Sequence, residues 1–305
     1  MAVPSVPAWA MLRAPVTTEA QAAFMAGAAM TSLDSFVRSQ PSWAGAWRQR
    51  LALKCAVAAT KLVGRTEDEA ALRDTALLTR PGDDTGPAGR ILVAWQELAR
   101  KKPVIRTKEL QHVTALLGIG WSDDLAELPS LVDALVQAQR PAPVAAAAII
   151  AQVLARDPAA ELLAWWLADV LIASTTGWDR PVPLLMAQRY GTPFRTDVGR
   201  GRLKPDDPGF ERAVCVALVQ SAAEALRLAA DIARRADRLA AVTQKLRAKG
   251  APDAIARLLQ DDAVSGSLAT RNLSRFASRR LFERLVQFEA VRELSGRATF
   301  RLYGL

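Results

Sequence analysis

The 305 residues carry 40 Lys or Arg against 31 Asp or Glu, a formal charge of +9, and half of them are apolar, which suits a folded chain with a sizeable core and argues against disorder. Two cysteines and one histidine nearly exclude zinc sites built from Cys and His and leave a Ser-His-Asp triad dependent on His112 alone. Cys55 and Cys215 read as buried thiols in a reducing compartment, and the longest uncharged stretch, Pro141 to Ala155, is too short to span a bilayer, so a cytoplasmic protein without membrane association or cofactor is expected.

Residues 1–18, with three prolines and no periodicity, read as an extended lead-in. Apolar positions then recur at helical spacing over Glu19 to Val37 and Ala44 to Val63, which predicts two helices separated by the turn SQPSWAG. The next stretch, 64–90, gathers Glu67, Asp68, Glu69, Asp74, Asp83 and Asp84 among Arg73, Arg80 and Arg90. Two readings stand. One is a site whose carboxylates serve as acid, base or magnesium ligands, with Asp83, Asp84 and Arg90 as candidates. The other is structural: Thr66 and Glu69 form a capping box, and Pro87 opens a helix running to Arg100 after a tight turn.

Further helices are predicted over 108–118, 124–139 and 142–156. The segment AELLAWWLADVLIAS, 160–174, is apolar on every side, as expected of a central helix. Asp169 inside it needs a partner, either an arginine that satisfies it or a role in a pocket with the acidic segment. Four glycines and three prolines break the chain at 191–209. Beyond them, 211–249 reads as one long helix with a seam of Leu218, Ala222, Ala225, Ala229, Ile232, Ala236, Leu239, Thr243 and Leu246. That seam suits packing within the chain or across a homodimer, so both monomer and homodimer remain open.

The basic character is concentrated at the end. From Arg227 onward there are sixteen Lys or Arg against eight Asp or Glu, and from Arg271 eight arginines against three glutamates. Such localisation points to an anionic partner. A short helix over 252–262 is followed by the loose stretch AVSGSLATRN, where a second helix is the weakest expectation. A further helix opens at Ser274, carrying Arg275, Arg279 and Arg280 on the face opposite Ala277, Leu281, Leu285 and Phe288. The closing residues, VRELSGRATFRLYGL, predict a hairpin that packs through Ala298, Phe300 and Leu302 and turns Arg297, Thr299, Arg301 and Tyr303 outward. Helix, loose turn, arginine-faced helix and terminal hairpin is the order of a winged helix.

Several segments, among them GRTEDEAALRD, LTRPGDDTGPAGR, GWDRPVPLL, QKLRAKGA, RRLFERLV and the closing fifteen residues, resemble an uncharacterised bacterial family numbered 1403 among the domains of unknown function. The resemblance spans nearly the whole chain and implies a cytoplasmic, full-length member with no catalytic residues to carry over. Where that family usually has glycine near the end of the penultimate helix, this chain has Glu289, which takes the left-handed cap conformation less readily. The C-terminal pattern also resembles the winged helices that follow Fic-type domains, although the Fic histidine motif is absent.

The expected fold is therefore mainly α: a lead-in over 1–18, a multi-helix domain over 19–198, a linker over 199–210, a long helix over 211–249 and a winged helix over 251–305. The leading functional expectation is a regulator that binds double-stranded DNA through Arg275, Arg279, Arg280, Arg297 and Arg301 while the helical domain senses a ligand or partner. The alternatives are a helical enzyme using the 67–84 carboxylates with Asp169, and a scaffold that docks a protein partner.

Overall fold

The computed structural model describes residues 2–11, 16–80, 82–196, 201–243, 246, 250–297 and 299–305. The protein is mainly helical. In chain order the helices are α1 (Glu19–Ser39), α2 (Ala44–Leu62), α3 (Glu69–Leu78), α4 (Gly86–Arg100), α5 (Thr107–Leu117), α6 (Asp123–Ala126), α7 (Leu128–Gln137), α8 (Ala142–Arg156), α9 (Glu161–Thr176), α10 (Phe210–Thr243), α11 (Ala251–Gln260) and α12 (Arg275–Gln287). Three short strands accompany the last two helices: β1 (Val264–Ser265), β2 (Arg292–Glu293) and β3 (Leu302–Gly304).

Local chemistry explains most helix starts. Thr18 caps α1 by accepting from the Gln21 amide at 3.2 Å, and Ser274 caps α12 by accepting from Ala277 at 3.2 Å. The capping box expected from Thr66 and Glu69 does not form. Asp68 instead caps α3, accepting from the Ala71 amide at 2.8 Å, because a charged carboxylate beside the exposed amides of a first turn is the stronger acceptor.

The body is built from paired helices, with α8 along α9, α1 along α10 and α2 along α4. Helix α9 is buried from Leu162 through Ala173, and its two tryptophans are handled differently. Trp166 donates its indole N–H to the backbone, at Ala94 O, 3.0 Å away, while Trp165 donates to the Glu161 side chain at 3.2 Å and packs edge-on against Phe194 at 5.3 Å between centroids. On α10 the expected seam is buried from Leu218 to Leu239, with Val242 taking over from the exposed Thr243. It faces α1, whose Ala22, Ala26, Ala29 and Leu33 are fully buried, so the small residues serve close packing within the chain.

Two helical stretches, Pro158–Thr176 and Phe210–Thr243, are long and apolar enough to cross a membrane by length and composition, which the criterion of an uncharged run overlooked. Here 72% and 67% of their apolar windows are buried within the protein.

The C-terminal segment is joined to the body by close approach and by charge. A Cβ placed on Gly45 of α2 would stand 2.8 Å from the Gln260 Cα of α11, so the two backbones meet where only glycine fits. Asp262, just after α11, is buried between Arg50 of α2 and Arg73 of α3 and pairs with both. Arg50 also donates to the backbone carbonyls of Asp262, at 2.9 Å, and Leu305, at 3.4 Å. The second helix expected between α11 and α12 is absent from the described residues there. In its place the chain forms β1 and a bridge between Thr270 and Leu273.

The three strands form one antiparallel sheet in the order β1-β3-β2, with Val264 opposite Tyr303, Ser265 opposite Leu302, and Arg292 opposite Gly304. The last strand is therefore central. Its facing differs from expectation: Leu302, Tyr303 and Gly304 are all buried, whereas Phe300 is 65% exposed. Phe300 takes φ of +53°, which breaks the two-residue alternation before β3 begins. Tyr303, expected outside, stacks on Phe282 of α12 with centroids 4.8 Å apart. Ala298 lies outside the described residues.

Candidate functional site

Helix α12 and the hairpin enclose a cleft of about 480 Å³. Arg275, Arg279 and Glu283, one turn apart on α12, form one wall. Thr299, Phe300, Arg301 and Tyr303 form the other, and Gly266 and Ser267 after β1 close one end. Ser278, Leu281, Phe282 and Leu285 are buried on the neighbouring arc of the helix, with Phe282 stacked on Tyr303, so Arg275, Arg279 and Glu283 stand at the edge of the packed face, beside the hairpin.

The cleft is strongly positive, with three guanidinium groups against one carboxylate. Among the described residues Arg275, Arg279 and Arg280 form no ion pair, so their hydrogen-bonding forks remain available to an acceptor from outside. Arg301 has Glu293 at 3.9 Å, and the Tyr303 oxygen, followed by Glu293, raises the pKa of its guanidinium. A set of separate arginine forks with three nearby hydroxyl side chains, those of Ser267, Thr299 and Tyr303, can bind phosphate or carboxylate oxygens bidentately.

Three of the five expected nucleic-acid contacts thus come together: Arg275, Arg279 and Arg301. Arg280 is exposed on α12 outside the cleft lining. Arg297 departs most from expectation. Instead of facing outward unpaired, it pairs with Asp74 of α3 through Nη1 to Oδ2 at 2.5 Å and Nη2 to Oδ1 at 2.6 Å, while its Nη2 also donates to the Phe300 carbonyl at 3.1 Å. Its bidentate geometry, expected to serve a phosphate, is used on a carboxylate of the same chain.

The acidic segment is spread among separate local tasks. Glu67 pairs with Arg65, Glu69 with Arg73, and Asp74 with Arg297. Asp84 accepts from the Gly86 amide at 2.9 Å and from Arg90 at 2.8 Å, and these bonds, the backbone one first, lower its pKa. Asp83 lies in the exposed turn between α3 and α4. Asp169, by contrast, is fully buried in α9 and accepts from the backbone amides of Leu184, at 2.9 Å, and Leu185, at 3.2 Å. Among the described residues no arginine holds it; the segment after α9 folds back and offers peptide donors instead. Burial raises its pKa to about 7 against the opposing pull of those two amides. Asp169 is thus held by backbone amides while Asp84 and Arg90 pair with each other, and among the described residues no group of three metal-ligating side chains forms.

Both thiols are buried, and burial pushes Cys215 up to about 12 and Cys55 well above the usual range, so neither is an activated nucleophile. His112 sits on the surface with Nε2 3.0 Å from Glu97 Oε2. The cleft-lining residues that sequence reasoning missed include Ser267, on a stretch read as a loose connection, and Phe300, assigned to the packing face by alternation. No curated protein matches the chain in sequence. The profile of a family described as a protein of unknown function (DUF1403) matches residues 1–305 from end to end, and the chain belongs to that family.

Proposed function

We propose that this protein binds double-stranded DNA through the cleft between α12 and the hairpin, and that the helical body regulates or receives a signal for that binding. The observation that carries the reading is the convergence of Arg275, Arg279 and Arg301 on one cleft, the first two without ion pairs among the described residues. The element order supports it: helix, strand, helix, strand, strand, with the last strand central, is the order of a winged helix with its second helix reduced to a turn. In this reading α12 faces the major groove, and Arg275, Arg279 and Arg301 meet the backbone phosphates that border it. The protein acts where DNA is, in the cytoplasm.

Fluorescence anisotropy of the full chain on a mixed-sequence duplex tests this. Affinity should fall steeply with salt, and the double substitution Arg275→Ala, Arg279→Ala should weaken binding while reducing the magnitude of the slope of log K against log salt by about 2. Absence of duplex binding at low salt, or an unchanged slope in the double variant, would overturn the reading.

A further inference from the structure

Phe300 is the one large apolar side chain in the cleft lining that stands mostly in water, 65% exposed at φ +53°. Both features are unfavourable in the isolated protein. A bulky residue in the left-handed region is strained, and a benzyl group left in solvent forgoes burial. The local structure nevertheless enforces the arrangement. Arg297 donates to the Phe300 carbonyl from Nη2 at 3.1 Å and Nε at 3.3 Å, and the same guanidinium is held by both Asp74 oxygens on α3. Immediately after it, Leu302 and Tyr303 are buried in the central strand. The ring is thus fixed on both sides and aimed away from the core, at the rim of a cleft lined by three arginines.

Arginine forks account for the recognition of phosphates, and an apolar ring does not serve that purpose. What a nucleic acid offers an exposed aromatic ring is the face of a base, and in a duplex that face is reached by opening a base step. We propose that Phe300 is a wedge that enters the duplex and unstacks one base step while Arg275, Arg279 and Arg301 hold the flanking backbone. The assignment rests on the DNA-binding reading above and adds how the duplex is deformed. Pyrimidine–purine steps open most easily, so they are the preferred point of entry.

The test uses the full chain and a short duplex of alternating thymine and adenine in which 2-aminopurine replaces some adenines, because 2-aminopurine fluoresces more strongly when unstacked. Wild-type protein should raise the fluorescence at saturation. Phe300→Ala should bind roughly 5- to 100-fold more weakly, keep the salt slope, and leave the fluorescence at its free-duplex level, whereas Phe300→Leu should retain part of the rise. Since Phe300 is exposed, the variants should unfold at the wild-type temperature. Salt-dependent duplex binding by the wild type with no rise in fluorescence, or an equal rise with Phe300→Ala, would overturn the wedge and leave the DNA-binding reading standing. Failure of the wild type to bind any duplex removes both. Tighter binding to the corresponding single strand than to the duplex would also overturn the wedge, because the ring would then be stacking on bases already open.

Discussion

Arg297 of the hairpin and Asp74 of α3, 223 positions apart in sequence, meet through two parallel hydrogen bonds at 2.5 and 2.6 Å. The pair ties the tip of the C-terminal sheet to the helical body, and through the Phe300 carbonyl it also sets the conformation of the cleft rim. Asp74→Asn should leave the thermal midpoint nearly unchanged, because the pair is at the surface, but should speed amide hydrogen exchange between Arg297 and Leu302. Duplex binding gives a test of sign. Removing a negative charge strengthens DNA binding if only net charge matters, whereas loss of the rim's fixed geometry weakens it, and weaker binding is expected.

The buried join between body and C-terminal segment behaves differently. Arg50 and Arg73 share the Asp262 carboxylate, and the three side chains are 8% exposed or less. Asp262→Ala leaves two buried guanidinium groups without their acceptor, a loss of about 3–5 kcal/mol by analogy with other broken buried pairs. Urea unfolding should show the midpoint fall with little change in the slope. Asp262→Asn keeps a hydrogen-bond acceptor but not the charge and should lie between the two.

A pH test follows from Asp169. Its folded-state pKa is raised by burial to about 7 from an ordinary 3.8, so the native state binds the proton more tightly than the unfolded chain. Stability from this group is therefore full below about pH 4 and is lost as pH rises towards 7, with a slope approaching about 1.4 kcal/mol per pH unit between them. In Asp169→Asn this component should vanish, flattening the profile between pH 5 and pH 7. An identical slope in the variant would show that the carboxyl is ionised throughout that range by its two amide donors.

The helices were legible both where a single face is buried and where the whole circumference is. The seam of α10 and the apolar α9 follow from spacing alone, and Ser274 as a cap follows from its local chemistry. The hairpin was legible as a hairpin, but the facing of its residues was not. Alternation presumes one wet face and one dry one, and β3 lies between β1 and β2 with Tyr303 against α12 and Gly304 against Arg50, so neighbouring residues are buried together. Within the cleft, the arginines of α12 were visible from helical spacing. Arg297 was misplaced because its partner, Asp74, is set by tertiary packing and leaves no local trace. Asp262 escaped notice for the same reason, since an Asp-Asp pair after a helix reads as solvent-exposed.

Glu289 offers the clearest stability test of the C-terminal segment. It follows α12 with φ of +51°, where its amide donates to Val286 O at 2.8 Å and the next amide donates to Leu285 O at 3.0 Å, closing the helix. A non-glycine residue bears strain in this conformation, and glycine relieves it. The side chain offers a return, an ion pair between Glu289 Oε2 and Arg238 Nη1 at 2.6 Å, but both side chains are more than half exposed and such pairs contribute little. Backbone relief should outweigh the lost pair, so Glu289→Gly is expected to stabilise the protein by roughly 0.5–1 kcal/mol, read as a higher urea midpoint. Glu289→Gln separates the two contributions, because it keeps the strained backbone and removes only the charge. If Glu289→Gly is less stable than wild type while Glu289→Gln loses as much, the bridge from α10 to the end of α12 stabilises the segment more than the backbone strain costs it.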